Sequence, residues 1–221
     1  MTTLVSAPLA SLLDRLFEEA DATSPMSVPS IAAMPRDEHE RLMRSKTDYA
    51  EFYGRLKDFP LAVSRATGRL LYMLARGCGA RNIVEFGTSF GISTIHLAAA
   101  LRENGGGRLI TSEFEPSKVV RARANLEAAG LMDLVEIREG DALQTLATNL
   151  PDTIDLVLLD GAKALYPEIL DLVESRLRPG AFVIADNADY SPDYLARVRS
   201  AGGGYLSLPF DEDVELSMRL G

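Results

Sequence analysis

Two short runs of the sequence carry acids and a base directly after apolar residues. The run DLVLLDGAKALY leads to Asp160 and then Lys163, and the run AFVIADNADY leads to Asp186 and Asn187. Two strand ends that carry oxygen ligands, one of them with a base three residues later, suggest a ligand site. The rest of the chain must indicate what that site binds.

Each of these pairs also has a purely structural interpretation. Asp160 and Lys163 could be a strand-end acid followed by a solvated lysine at a helix start. Asp186 with Asn187 could cap the helix that follows. Taken alone, each pair favours the structural interpretation, so the decision depends on the elements that position the two pairs.

Those elements alternate between strand and helix from Arg81 onwards. Short apolar strands that do not alternate with polar residues are typical of a parallel sheet covered by helices on both faces. The predicted strands are NIVEF, RLITSEF, LVEIREG, DLVLLD, AFVIAD, YLSLPF and VELSMRL. No helix separates the last two, so we expect an antiparallel hairpin at one edge. The prediction is an α/β fold, Rossmann-like and doubly wound, with a mostly parallel seven-stranded sheet.

Helices are predicted before and between these strands. Leu12, Leu13, Leu16 and Phe17 recur at helical spacing and indicate a helix over residues 9–20. Further N-terminal helices are predicted over 37–53 and 61–76, and the prolines of residues 23–35 favour a loop there. The helix opened by Pro167 is expected to end near residues 178–180.

Every predicted parallel strand ends in a polar group. In open α/β sheets, ligands bind beyond these carboxyl ends, so five such ends argue for a shared cleft. The groups are Glu85, Glu113, Asp141, Asp160 with Lys163, and Asp186 with Asn187.

The first strand-to-helix turn carries Gly87 and Gly91. Glycine permits positive φ and close approach to a ligand, and the following helix start favours an anionic group. The G-x-x-x-G spacing lacks the third glycine of the dinucleotide fingerprint. Glu113 could accept both hydroxyls of a ribose, so the pattern fits a nucleoside-type cofactor. A tight turn without a ligand, and a solvated acid before Pro116, are the alternatives.

With these motifs in place, residues 63–220 resemble class I S-adenosylmethionine-dependent methyltransferases. More narrowly, they resemble the cation-dependent, catechol O-methyltransferase-like O-methyltransferases. The matching pieces, in the family's order, are AVSRATGRLL, IVEFGTSFGIST, LITSEFEPS, LVEIREGDA, LLDGAKALY and IADNADYSPDYLARVR.

The resemblance implies a role for each matching residue. The cofactor S-adenosylmethionine would be held by Val63, Glu85, Gly87, Thr88, Ser93, Glu113, Asp141, Ala142 and Asp160. Within that set, Glu113 would bind the ribose, and Asp141 with Ala142 would lie at the adenine. Asp160, Asp186 and Asn187 would hold a divalent cation, Mg²⁺ with Ca²⁺ or Mn²⁺ as alternatives. Lys163 would be the general base, and Asp160 would share the catalytic role. The chemistry agrees with these implied roles, because oxygen donors suit Mg²⁺, which keeps positions open for water or substrate. A lysine beside such a cation would have a lowered pKa, so it could accept the proton of a phenol.

The sequence departs from the family pattern where the acceptor would bind. Ala162 stands where a second acid or an aromatic is frequent, Leu61 stands where methionine is common, and the chain has no tryptophan. The C-terminal end is short, and we leave open whether Asp211, Glu212 or Asp213 contacts the acceptor. The acceptor could therefore differ from a catechol.

Composition limits the partners. The formal charge is −9 without a cluster of Lys and Arg, which argues against nucleic acid and anionic membranes. Cys78 is the only cysteine, and no secretion signal or apolar membrane run is recognised. We expect a cytoplasmic protein, and by resemblance a homodimer. Residues 1–60 are expected to form a helical cap for substrate and dimer contacts, and residues 61–221 the cofactor-binding domain, within one compact unit.

The function hypothesis is a metal-dependent O-methyltransferase acting on a small catechol-like or phenolic substrate. A non-catalytic or differently specific S-adenosylmethionine-binding protein is the first alternative, and an NAD-dependent oxidoreductase is the second. His39, His96 and Cys78 are interpreted as structural residues. Tyr49, Phe52 and Tyr53 could line a substrate entrance or pack on the core.

Overall fold

A seven-stranded sheet forms the centre of the protein in a computed structural model that describes residues 4–211 and 213–221. The strands are β1 (Asn82–Phe86), β2 (Arg108–Glu113), β3 (Val135–Glu139), β4 (Ile154–Leu159), β5 (Leu177–Ala185), β6 (Tyr205–Phe210) and β7 (Val214–Arg219). Their order is β3-β2-β1-β4-β5-β7-β6. The strands β1 to β5 pair in parallel, whereas β7 is antiparallel to both of its neighbours. The predicted parallel sheet with an antiparallel edge hairpin is confirmed.

Helices lie on both faces of this sheet. They are α1 (Leu9–Asp21), α2 (Pro29–Ala32), α3 (Arg36–Met43), α4 (Tyr49–Gly54), α5 (Arg65–Gly77), α6 (Ile92–Glu103), α7 (Pro116–Ala128), α8 (Ala142–Thr145), α9 (Tyr166–Val173) and α10 (Pro192–Arg199). Within the described residues, none of the helices has the length and apolar composition needed to cross a membrane.

The two layers of helices explain why the strands are apolar throughout. In β4, Leu156 and Leu158 belong to a hydrophobic cluster with α1, α5 and α6, whereas Val157 and Leu159 belong to a second cluster with α9 and α10. All four side chains are fully buried. Successive residues point to opposite faces of a strand, so a sheet covered on both faces requires apolar residues at every position.

The N-terminal helices contribute to two different packing regions. Helix α1 buries Leu9, Leu16 and Phe17 in the same cluster as α6 and the sheet. The segment of the chain that connects α1 to α5 forms a smaller hydrophobic cluster around Phe52 and Leu56. The first helix therefore packs with the main core, and the segments after it build a separate wall.

The predicted continuous helix over residues 37–53 is wrong, because the chain forms α3 and α4 with a break between them. In the break, the Ser45 hydroxyl accepts hydrogen bonds from the backbone N–H groups of Thr47 (3.3 Å) and Asp48 (3.0 Å). A serine side chain that bonds to nearby backbone offers the chain an alternative to the helix. That local competition separates α3 from α4.

Three other predicted boundaries need correction. Helix α5 begins at Arg65 rather than Leu61, because the Ser64 hydroxyl caps it by accepting from the N–H of Thr67 at 2.9 Å. The predicted loop over residues 23–35 contains the short helix α2. Helix α9 ends at Val173, well before residues 178–180, which instead belong to β5. Local caps and sheet pairing decide these ends, and neither is visible in hydrophobic periodicity.

The carboxylate of Asp155 ties three parallel strands together at their starts. It accepts hydrogen bonds from the backbone N–H groups of Arg81 (2.8 Å) and Asn82 (2.9 Å), and from Nε of Arg178 (2.6 Å). Burial disfavours the charged carboxylate, but these bonds outweigh burial and lower the pKa of Asp155.

Replacing Asp155 with alanine should lower the free energy of unfolding at pH 7 by about 3 kcal/mol, because two N–H groups and a guanidinium lose their acceptor. Denaturant unfolding measures this loss, with Asp152→Ala, whose side chain is fully exposed, as the control. Because its pKa is lowered in the folded state, the Asp155 carboxylate stabilises the fold at pH values above its unfolded-state pKa. This contribution is lost as the pH falls through the folded-state pKa. Wild type and Asp155→Ala should therefore converge in acid, and equal losses for both variants at pH 7 would contradict this account.

Candidate active site

A cavity of about 620 Å³ lies beyond the carboxyl ends of the parallel strands. It brings together most of the residues singled out in the sequence. Those that line it are Gly87, Glu113, Asp141, Ala142, Asp160, Lys163, Asp186 and Asn187. The shared cleft expected from the strand ends is therefore present as one space.

Glu85, Thr88 and Ser93 are buried and lie outside the set of lining residues. The Glu85 carboxylate accepts hydrogen bonds from the hydroxyls of Ser93 and Thr94, both at 2.6 Å. Val63 lines a second, adjoining cavity. The cofactor contacts assigned to these four residues by resemblance stay predictions.

The turn after β1 requires glycine at position 87. Gly87 has φ of +102°, and a Cβ there would lie 2.6 Å from the carbonyl oxygen of Asp160. Both the backbone conformation and the close approach of the two strand ends exclude a side chain. The absence of a side chain therefore lets the end of β1 lie directly against the backbone that follows β4.

At the end of β2, the Glu113 carboxylate is held by backbone donors. It accepts hydrogen bonds from the N–H groups of Ser89 (2.8 Å) and Glu115 (3.0 Å), one at each oxygen. Burial raises the pKa of Glu113, and these hydrogen bonds oppose the shift. One lone pair on each oxygen is thus engaged, which fixes the orientation of the carboxylate and leaves acceptor capacity toward the cavity.

Asp160 and Lys163 form an ion pair inside the cavity wall. Nζ of Lys163 donates to Oδ1 of Asp160 at 2.8 Å and lies 4.0 Å from Oδ2 of Asp186. Burial lowers the pKa of Lys163, but Asp160 and the other acidic groups nearby, Asp186 among them, together outweigh burial, so the pKa is well above its ordinary value. A lowered pKa of Lys163 therefore depends on a cation that neutralises these carboxylates.

Asp186 and Asn187 follow β5 beside this ion pair. Burial and the negative charge of Asp160 raise the pKa of Asp186 to about 8. Asn187 has φ of +48°, and its amide nitrogen donates to Oδ2 of Asp213 at 2.6 Å. The amide oxygen of Asn187 is then the atom available to a ligand in the cavity.

These side chains fit a divalent cation. Two partly buried carboxylates face one ammonium, and a cation would offset both the burial and the mutual repulsion that raise the pKa of Asp186. Asp160, Asp186 and Asn187 offer hard oxygen donors of the type that Mg²⁺ prefers. Among the described residues, no group of three His, Cys, Asp or Glu side chains forms a metal cluster, so the amide of Asn187 is needed to complete the set.

A mostly apolar wall of the cavity comes from the N-terminal segment, from α3, α4 and the residues next to the short helices. Its lining residues include Met26, His39, Met43, Tyr49, Phe52, Tyr53 and Leu56. Leu61 also lines the cavity, in a positive-φ backbone conformation (+27°). Asp211 and Asp213 lie at the cavity, whereas Glu212 falls outside the described residues. Tyr49, Phe52 and Tyr53 thus line the cavity, and Phe52 also packs in the small N-terminal cluster.

His39 and Lys118 line the cavity although the sequence did not indicate it. His39, interpreted as a structural histidine of the core or surface, lies on α3 one turn from Met43, and both line the cavity. Their i, i+4 spacing could have indicated this shared face. His96, in contrast, is buried in the core, where Nδ1 lies 2.8 Å from the carbonyl oxygen of Ile92. Lys118 also lines the cavity, and no pattern in the sequence distinguishes this lysine from a solvated one.

Known proteins resemble this chain over the region that contains most of these site residues. A methyltransferase-domain family model matches residues 84–188. A catechol O-methyltransferase of Sus scrofa is 32% identical over 155 residues, covering 66% of this chain and 82% of that protein. The chain belongs to the catechol O-methyltransferase family. A family member from Niastella koreensis is 38% identical over 130 residues, which is 58% of either chain, so this chain spans less than two thirds of that relative.

A solved structure agrees with this family assignment. The O-methyltransferase TomG from Streptomyces achromogenes, involved in tomaymycin synthesis and solved in complex with S-adenosylmethionine, has a TM-score of 0.64 and 29% identity. The match covers 92% of this chain and 99% of that one. The seven-stranded arrangement with its C-terminal hairpin is therefore the fold of the family.

The buried Glu85 makes stability pH-dependent. Burial raises its pKa to about 7, although the hydroxyls of Ser93 and Thr94 oppose the shift. A raised pKa means that the folded state holds the proton more tightly than the unfolded state does. The stabilisation from this proton is complete below the unfolded-state pKa of the carboxyl and is lost as the pH rises to about 7. Between about pH 4 and pH 8, wild type should lose about 3 kcal/mol of unfolding free energy relative to Glu85→Gln.

The measurement is denaturant unfolding across this pH range in the presence of a chelator. Glu139→Gln, an exposed acid at the end of β3, is the matched control and should follow wild type. A Glu85→Gln profile parallel to wild type would show that the carboxyl does not hold the extra proton.

Proposed function

We propose that this protein is a divalent-cation-dependent O-methyltransferase. It transfers a methyl group from S-adenosylmethionine to a hydroxyl of a small catechol-like or phenolic acceptor. The observation that carries the proposal is the convergence of Asp160, Lys163, Asp186 and Asn187 in the same cavity as Glu113. Membership of the catechol O-methyltransferase family supports the reaction class.

The cofactor end of the cavity is assigned to the strands on one side of β4. Glu113, held by two backbone N–H groups, would accept the ribose hydroxyls. Asp141 and Ala142, at the start of α8, would border the adenine. Gly87 leaves room for the methionine part of the cofactor, which Val63, Thr88 and Ser93 would support. The Glu85 carboxylate would hold the start of α6 by accepting hydrogen bonds from the hydroxyls of Ser93 and Thr94.

The acceptor would lie between the carboxylates and the N-terminal wall. When bound, a divalent cation at Asp160, Asp186 and Asn187 would acidify the acceptor hydroxyl and fix its direction, and S-adenosylmethionine would supply the electrophilic methyl group. With the carboxylates neutralised in this way, Lys163 would lose its own proton to solvent, and the neutral amine at Nζ would then take the proton of the acceptor hydroxyl. The acceptor oxygen would form its bond to the methyl carbon as the bond from that carbon to sulfur breaks. Holding both substrates in line in one cavity provides most of the acceleration.

The apolar wall defines the acceptor only as a small hydroxylated aromatic. Tyr49, Phe52 and Tyr53 supply the aromatic surface that tryptophan would otherwise provide. Asp213 accepts a hydrogen bond from the amide nitrogen of Asn187, so its role would be to orient the amide oxygen of Asn187 toward the cation. Residues 1–60 would act as the cap over this acceptor site, and residues 61–221 as the cofactor-binding part. The homodimer and the cytoplasmic location expected from the sequence belong to the same proposal.

Activity should depend on both the cation and Lys163. Methyl transfer to a panel of catechols and phenols should require Mg²⁺, Mn²⁺ or Ca²⁺ and be abolished by a chelator. Lys163→Met should lower kcat by roughly 10²- to 10⁴-fold, the usual range for loss of a general base. The matched control is Lys57→Met, which removes an exposed lysine and should leave kcat unchanged.

Chelator-resistant turnover would refute the metal part of the proposal. Tight binding of S-adenosylhomocysteine without transfer to any acceptor would favour the alternative of a non-catalytic or differently specific binding protein. The oxidoreductase alternative has no support from the family assignment, and nicotinamide cofactor binding tighter than S-adenosylmethionine binding would be needed to revive it.

A further inference from the structure

Lys118 is a buried lysine in an unfavourable position. Its side chain is only 4% exposed, and it lies in the first turn of α7. The N-terminal end of a helix carries a partial positive charge, so a cation there is disfavoured. Burial further disfavours the charged form and lowers the pKa of the ammonium. A charged lysine at such a site needs a partner that stabilises the ammonium group.

Within the described residues, its partners are few. Nζ of Lys118 makes one long hydrogen bond, 3.4 Å to Oγ of Ser89, and no carboxylate oxygen lies within 4.0 Å of it. The ring centroid of Phe90 is 6.0 Å away. An ammonium group has three N–H donors, so most of its hydrogen-bonding capacity is unused. Lys118 lines the cavity, which is where a further acceptor can lie.

Ser89 connects this ammonium to the carboxylate of Glu113. The backbone N–H of Ser89 donates to Glu113 at 2.8 Å, and its hydroxyl donates to the carbonyl oxygen of Pro60 at 2.7 Å. The same hydroxyl oxygen is the acceptor nearest to Lys118. The Glu113 carboxylate, an acceptor, and the Lys118 ammonium, a donor, therefore both contact Ser89, and both line the cavity.

A ribose diol needs both kinds of group. Each hydroxyl has one hydrogen to donate and lone pairs that accept, and a carboxylate can satisfy only the hydrogens. The hydroxyl oxygens stay without donors unless water or a protein N–H group supplies them. Glu113 alone is thus an incomplete site for a diol, and the unused N–H groups of Lys118 complete it.

We propose that Lys118 is a cofactor-binding residue that donates a hydrogen bond to a ribose hydroxyl oxygen while Glu113 accepts from the hydroxyl hydrogens. This inference rests on the proposed use of S-adenosylmethionine and deepens it. The bound diol then bridges a separated cation and anion. The affinity gained from Lys118 depends on the hydroxyl and not on the adenine or the amino-acid part.

The test is calorimetric titration of wild type and Lys118→Met with S-adenosylhomocysteine and with its 2′-deoxy and 3′-deoxy analogues. Methionine keeps the length of the side chain and removes its charge, and replacing a poorly paired buried charge by an apolar group should not reduce the thermal unfolding temperature. We expect about tenfold weaker binding of S-adenosylhomocysteine by the variant. For the analogue that lacks the contacted hydroxyl, the substitution should change affinity less than twofold.

The matched control is Lys57→Met, which removes an exposed positive charge close to Glu115 and should change affinity less than twofold for every ligand. In a transfer assay, Lys118→Met should raise the KM for S-adenosylmethionine more than it lowers kcat. An equal loss for all three ligands, or no loss for any, would overturn the assignment of Lys118 alone. Wild type that binds S-adenosylhomocysteine without methyl transfer would instead refute the proposed function, and wild type that does not bind it would refute both.

Discussion

The repulsion between two partly buried carboxylates, Asp160 and Asp186, is the interaction on which the candidate site depends. The strands β4 and β5 are parallel neighbours, and Leu159 is in register with Ala185, so the residues that follow them emerge side by side. The backbone N–H of Asp186 donates to the carbonyl oxygen of Leu159 at 2.9 Å, which extends the pairing to this point. Lys163 is the one ammonium within 4.0 Å in the described part of the chain, so with both carboxyls ionised the group would carry one uncompensated negative charge. A bound cation would favour that ionised state.

The rest of the fold holds this arrangement in place and adds the second substrate. Strand β1 lies between β4 and β2, so the turn at Gly87 separates the carboxylate pair from Glu113. Because glycine at position 87 lets the backbone approach Asp160 closely, both groups share one cavity. The apolar wall from α3 and α4 then closes the other side. The site therefore follows from strand order, one glycine and an N-terminal cover.

The sheet and the polar strand ends could be predicted from the sequence, because non-alternating apolar runs and strand–helix alternation reflect the burial of a parallel sheet on both faces. Other features depended on information that periodicity does not carry. Ser45 interrupts the predicted second helix by a local side-chain hydrogen bond. Lys118 looks like a solvated lysine until tertiary packing buries it. His39 lines the cavity through tertiary packing, with its ring against those of Phe52 and Tyr190.

The most direct test of the carboxylate pair is a Mn²⁺ titration followed by electron paramagnetic resonance, at neutral pH and without acceptor. We expect one saturable ion per chain that Mg²⁺ displaces, and at least tenfold weaker binding by Asp186→Asn, which removes one charged donor and the repulsion together. Asp189→Asn, which alters an exposed acid three residues further along, should bind like wild type. Absence of saturable binding by wild type, or unchanged affinity in Asp186→Asn, would show that the carboxylate pair does not hold a cation.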